Sequence, residues 1–183
     1  MTLLTAFPIH RRRLLCGCVG LATLSLAGCK PNDQNASDDQ VPVAMDNMAS
    51  CALDGMLLAD FPGPKGQIRY AQDKQVHWFC DTVELLSTLL APEQVRAVRS
   101  AFVQDMAKAD WDRPSGHWID ARSALYVLGS KRHGSMGPTA ASFVEEVSAQ
   151  NFVKTYGGRV LRFADIKPEM VDLSGGALHD TRM

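Results

Sequence analysis

The chain of 183 residues has little of several things, and each shortage narrows what it can be. It has no excess of charge of either sign: 19 Lys and Arg against 20 Asp and Glu leave a net charge of −1 at pH 7. Three of those arginines, Arg11, Arg12 and Arg13, fall in residues 1–28, which contain no acid, so the rest is acidic in balance. A nucleic-acid binder needs a clustered basic face, and this chain offers none, so no nucleic-acid partner is expected. It has no long hydrophobic run: residues 14–27 are apolar but too short to span a bilayer comfortably. No His/Cys spacing resembles a structural zinc site, no glycine loop resembles a phosphate cradle, and there is no serine elbow. Cysteine is scarce, at five. What remains, 46% hydrophobic residues with 21% charged, is enough for one globular core.

The N-terminus reads as a targeting signal. Three consecutive arginines precede the apolar run, the layout of an export signal. The run ends in Leu26-Ala27-Gly28-Cys29, which resembles the lipobox of bacterial lipoproteins. That resemblance implies a signal peptide over residues 1–28 and a lipidated Cys29 at the mature N-terminus. The paired arginines also resemble a twin-arginine export signal, so two export routes stay open. An uncleaved membrane anchor is the competing reading. Export places the mature chain where exposed thiols oxidise. Cys16 and Cys18 then leave with the signal, Cys29 carries lipid, and Cys51 and Cys80 are the cysteines left.

Residues 29–50 are rich in Asn, Asp, Gln and Ser and read as a flexible tether, with Met45 and Met48 either incidental or soft donors near a site. Residues 51–167 carry the folded domain, and 168–183 a polar tail that includes His179. Alternation predicts strands over residues 67–71 and 76–79, and a short one over 56–59. Asp81 followed by Glu84 predicts a capped helix that carries Leu85, Leu86, Leu89 and Leu90 and stops before Pro92. Residues 101–106 fit a strand, although 93–104 also fit a helix. Leu125-Tyr126-Val127-Leu128 reads as a buried strand. Ser142 with Glu145 has the spacing of a capping box and predicts a helix running to Tyr156, where Gly157-Gly158 ends it. A last strand covers 159–163. Two strand–helix–strand motifs of similar size predict an α+β fold, with mixed sheets covered by helices on one face.

The chemistry gathers at Cys51-Ala52-Leu53-Asp54-Gly55-Met56, where a thiol, a carboxylate and a thioether share six residues. Gly134-Ser135-Met136-Gly137-Pro138 is a second sulfur framed by glycines, which permit a tight turn and open presentation. Thiolate and thioether donors are soft and suit Cu(I), and thioethers need no deprotonation. Cys51, Met56 and Met136 are therefore the candidate metal ligands, expected to converge from two loops. Two competing readings stay open. Cys51 and Cys80 can form a disulfide staple, or Cys80 can be a small buried hydrophobe. Cys51 as a nucleophile with His77, His117 or His133 as base lacks any local signature, and the chain is not expected to be an enzyme.

Several stretches together resemble the NosL family of periplasmic lipoproteins, copper chaperones for nitrous oxide reductase. They are Cys51…Gly55-Met56, Phe61-Pro62-Gly63-Pro64-Lys65-Gly66-Gln67-Ile68, and Phe79-Cys80-Asp81-Thr82. Trp118-Ile119-Asp120-Ala121-Arg122-Ser123-Ala124-Leu125-Tyr126-Val127, Gly134-Ser135-Met136-Gly137-Pro138 and Tyr156-Gly157-Gly158-Arg159-Val160-Leu161 follow in the family's order. The resemblance implies paired ββαβ motifs and a Cu(I) carrier anchored at the periplasmic face of a bacterial membrane. It also implies delivery to nitrous oxide reductase for assembly of its copper–sulfide centre, alongside membrane-bound assembly factors. Carried onto this sequence, the copper ligands would be Cys51, Met56 and Met136. One position departs: Asp54 stands where many relatives have a cysteine before Gly-Met, and a hard carboxylate is a poor Cu(I) ligand, so the third ligand is open. A redox-inert interaction lipoprotein, stapled by Cys51–Cys80, is the alternative function.

Overall fold

The structure, a computed structural model, describes residues 40–173. The signal peptide, Cys29 and the first part of the tether lie outside the described residues, as does the tail from residue 174 with His179. Described elements begin with a 3-10 turn over Leu58–Asp60, where a strand was expected; only Leu57 pairs, bridging to Ser50. Strands β1 (Gly66–Tyr70) and β2 (His77–Phe79) form a hairpin, α1 (Thr82–Leu90) follows, and β3 (Val98–Gln104) returns to pair with β1. β4 (Trp118–Asp120) adds to β3, giving a four-stranded sheet of order β2-β1-β3-β4.

The pattern then repeats. β5 (Leu125–Leu128) pairs with β8 (Ala141–Phe143), α2 (Glu146–Tyr156) follows, and β9 (Arg159–Arg162) returns to the other edge of β5. A small hairpin, β6 (His133–Gly134) with β7 (Gly137–Pro138), is inserted between β5 and β8. The α+β class and the two ββαβ motifs are as expected. The ladders differ in one respect: they are antiparallel in all three sheets, where mixed sheets were expected. In each motif the strand returning from the helix skips over a neighbour, so strands running the same way are never adjacent.

The region left between helix and strand is β3, and its packing shows why. Ala101 and Val103 lie buried in a core with Ile68, Phe79, Leu85 and Leu86. The same cluster takes in Tyr126 from the second motif and Ile166 and Val171 from the C-terminal turns. The phenol of Tyr126, wholly buried, donates to Ala121 O at 2.5 Å, so the largest core side chain leaves no polar atom unpaired. Val171 in this core places residues 168–171 in the domain rather than in the expected tail.

The tether also gives way sooner than its composition suggests. Gln67, on the buried strand β1, accepts from Val43 N–H at 2.9 Å and donates to Val43 O at 3.0 Å, pairing the incoming chain as another strand would. Met45 and Ala49 then pack against Cys51 and Cys80. Residues 43–50 are therefore docked, and this strip forms one wall of the site.

Candidate metal centre

Backbone pairing holds the Cys51 loop. Cys51 N–H donates to Met56 O at 2.8 Å, Gly55 N–H to Cys51 O at 2.9 Å, and Ala52 N–H to Trp78 O at 2.7 Å. The first two close the loop, with Gly55 at φ +77°, and the third ties it beside β2. Asp54 turns its carboxylate inward on the loop, accepting from Met56 N–H at 3.0 Å. Cys51 is thereby buried although it lies in irregular backbone.

The second contribution comes from the start of α1. β2 ends at Phe79, Cys80 follows, and Asp81 caps the helix by accepting from Val83 N–H at 2.8 Å. Cys80, one residue before the extended cap, and Glu84, in the first turn of α1, meet across the helix start. Cys80 Sγ lies 3.4 Å from both Glu84 Oε1 and Oε2, and Cys51 Sγ lies 3.2 Å from Glu84 Oε2. One ligand atom each from Cys51, Asp54, Cys80 and Glu84 falls within 4.8 Å of the others. Among the described residues this is the one such grouping, and no histidine belongs to it. The Cys–His reading is thus overturned: His77 instead meets Asp73 at 2.7 Å, and His117 and His133 lie outside the group.

The β6–β7 hairpin closes the third side. Asp81 is buried and accepts from Thr139 Oγ1 at 2.5 Å and from Ser135 N–H at 3.2 Å, which fastens the hairpin to the helix start. Ser135 Oγ meets Cys80 Sγ at 3.2 Å. Gly134 passes so near Asp81 that a Cβ there would collide with the carboxylate. Met136, at the tip, is 47% exposed and lines a cavity together with Leu53, Asp54, Glu84, Leu128 and Met170. The cavity, about 500 Å³, is far larger than an ion requires and leaves room for an incoming donor.

Of the three candidates, then, Cys51 is central to the cluster. Met56 packs beside both thiols in a small apolar cluster with Ala49, Leu58, Met45 and Trp78. Met136 shares the cavity with Asp54 and Glu84. Cys80 and Glu84 were not among the sequence candidates. The signal that could have found them is the i, i+4 spacing of Cys80 and Glu84 across a helix start, where the sequence reading takes Glu84 as part of the cap and Cys80 as a staple or a small hydrophobe. The alternative reading, a Cys51–Cys80 staple, is not what the structure has: both cysteines are free.

The environment sorts the protons. Cys51 is pulled down to about 6, chiefly because the Cys80 thiol donates to it, with backbone N–H groups helping against burial. Cys80 is correspondingly pushed up, as the donor in that pair and by its burial. Burial raises Glu84 to about 8, and the negative charge of Cys51 adds to this. Asp81 rises to about 7, again through burial, though Thr139 and the cap N–H oppose it. The site thus combines a ready thiolate with a second thiol and a carboxyl group that both hold protons. Two buried free thiols, with Met56 packed beside them and Asp54 and Glu84 joining them to the cavity that Met136 lines, suit a thiophilic metal ion.

The comparisons with known proteins agree with that class. Residues 42–171 match the NosL family model, and the chain belongs to the NosL family. The match begins one residue before the docked strip described above. Two relatives are described as copper-binding lipoprotein NosL. The one from Stutzerimonas stutzeri is 38% identical, over 87% of this chain and 85% of its own length. The one from Achromobacter cycloclastes is 36% identical, over 88% and 84%. The crystal structure of the copper chaperone NosL from Shewanella denitrificans superposes with a TM-score of 0.67 at 40% identity, covering 70% of this chain and 96% of that one.

Proposed function

We propose that this chain is a copper chaperone that binds Cu(I) as cargo and hands it to nitrous oxide reductase during assembly of the copper–sulfide centre. The observation that carries the reading is the thiol pair: Cys51 and Cys80, both free and buried, meeting at the Glu84 carboxylate. Relatives named as copper-binding lipoproteins and a copper chaperone support it.

The two sulfurs supply anionic soft donors, and Met56 and Met136 supply neutral ones. Glu84 and Asp54, being hard, serve Cu(I) poorly as ligands. Glu84 instead holds the thiols in place and takes up or gives back a proton as cargo enters and leaves. A carrier must also release its ion. Met136 on an open cavity lets a partner's donor arrive before the last bond to this chain breaks. No step in this exchange forms or cleaves a covalent bond in a substrate, so the reading is non-enzymatic. Lipidation at Cys29 would hold the domain at the periplasmic face of the membrane, where tethering raises its concentration near membrane-bound assembly factors. No helix among the described residues is long and apolar enough to cross a membrane.

The test is anaerobic Cu(I) titration against a coloured chelator, with native mass spectrometry for stoichiometry. The expected result is about one Cu(I) per chain. Cys51→Ser and Cys80→Ser should each weaken binding by roughly a hundredfold or more, since each removes an anionic soft donor. Parent-like binding by both variants would remove the thiol pair from the function.

A further inference from the structure

Lys65 is wholly buried, lies beside the metal centre, and has no part in the chemistry set out so far. Its Nζ meets three carbonyl oxygens: Phe61 O at 2.8 Å, Cys80 O at 3.0 Å and Pro62 O at 3.1 Å. Carbonyls only accept, so three of them around one nitrogen call for three N–H donors. A neutral amine has two N–H bonds and a lone pair; the ammonium ion has three and no lone pair. The geometry therefore fixes the charged form. Burial opposes that charge, and the anionic Cys51 nearby attracts it. The chain thus retains an ammonium ion in its interior within electrostatic reach of both thiols. Holding the 61–64 turn by ordinary hydrogen bonds would not require a charge.

We propose that Lys65 is a specificity-determining residue, a fixed positive charge that biases the thiol site toward a monovalent ion and against divalent ones. The proposal rests on the reading of Cys51 and Cys80 as ligands. Its physics is simple. A unit charge fixed near the site repels a divalent ion twice as strongly as a monovalent ion on the same donors. The pairing of Cys51 and Cys80 with carboxylates would otherwise suit Zn(II), whose usual donors are sulfur, nitrogen and carboxylate oxygen. Lys65 also favours the thiolate forms, which helps every metal alike. Only the ratio between ions of different charge isolates the filter.

The experiment compares the full chain with Lys65→Gln, Lys65→Met and Lys65→Arg. Gln keeps an N–H donor without charge, Met keeps apolar length, and Arg keeps charge. Cu(I) affinity is read by anaerobic competition with bicinchoninate, and Zn(II) affinity by competition with a chromogenic zinc chelator. We expect the Zn(II)-to-Cu(I) affinity ratio to rise about tenfold or more in Lys65→Gln and Lys65→Met, and to return towards the parent value in Lys65→Arg. Both affinities moving by one common factor would make Lys65 a purely structural residue and overturn the proposal. If no variant folds, 15N NMR of the parent decides: a protonated, exchange-protected Nζ is required, and a neutral amine overturns it. A parent chain that fails to bind Cu(I) at all would instead count against the chaperone reading.

Discussion

Glu84 touches both thiols, and its proton links folding to pH. With Glu84 raised to about 8 and Asp81 to about 7, the folded apo chain keeps protons that the unfolded chain has lost by about pH 4.5. Stability then falls as pH rises above that point, because the native state binds more protons than the unfolded state. Cys51 has the opposite sign. Its folded value of about 6 lies below the ordinary thiol value of 9.0, so it adds stability as pH climbs between the two. The two effects overlap only above about pH 6. Urea unfolding of the apo protein should therefore show stability declining from pH 4.5 to 6, more gently to about 7, and levelling between about 7 and 8. Glu84→Gln should flatten the decline, and Cys51→Ser should prolong it towards pH 8. A stability that rose steadily between pH 4.5 and 6 in the parent would contradict the burial of these carboxyl groups.

At the scale of elements, two similar sequence signals met different fates. Asp81 with Glu84 marked a helix start correctly, yet Glu84 turns to the thiols rather than back to the cap. Ser142 with Glu145 marked one wrongly. Ser142 belongs to β8 and donates its hydroxyl to Gln104 O at 2.6 Å, joining the second motif to β3, and α2 begins at Glu146 without a side-chain cap bond. Spacing alone cannot separate these cases, because the deciding partner lies 38 residues away. The glycine-framed hairpin was legible as a presenting loop, but its fastening to Asp81 was not, since that contact spans the two motifs. The fastening makes a prediction. In Gly134→Ala the new methyl would meet the buried Asp81 carboxylate, and the hairpin must shift to admit it. A loss of about 1–3 kcal/mol is expected, the range for overpacking at a closed contact. Thermal unfolding gives the loss, and amide NMR shifts confined to 133–139 and the start of α1 locate it. An unperturbed variant would mean the hairpin is not anchored there.

Across the whole molecule, the centre is assembled from three separated places: the loop after the docked N-terminal strip, the start of α1, and the hairpin inserted in the second motif. Alternation and turn residues made β1, β2, α1 and β5 readable, because each is local, whereas β8 lay hidden under spacing that reads as a helix start, and the ββαβ pairing came from the family resemblance. Cys51 was readable because its loop carries its own turn chemistry. Cys80 stayed open between staple and small buried hydrophobe because a buried cysteine after an apolar strand looks the same whether it is packing, stapled or facing a partner thiol; the structure bears out the burial. Met136 is where the assembled view can be tested most sharply. It lies 47% exposed, so Met136→Leu removes the sulfur while nearly conserving volume, and stability should change by less than roughly 1.5 kcal/mol. If the hairpin closes the coordination sphere, Cu(I) affinity should fall roughly tenfold or more, and X-ray absorption should count about one sulfur fewer around the metal. The two readouts separate the roles available to it. Intact affinity with an unchanged sulfur count would leave Met136 as a wall of the cavity, with Cys51, Cys80 and Met56 holding the ion alone. Lost stability with intact affinity would place it among the packing residues, which its exposure argues against.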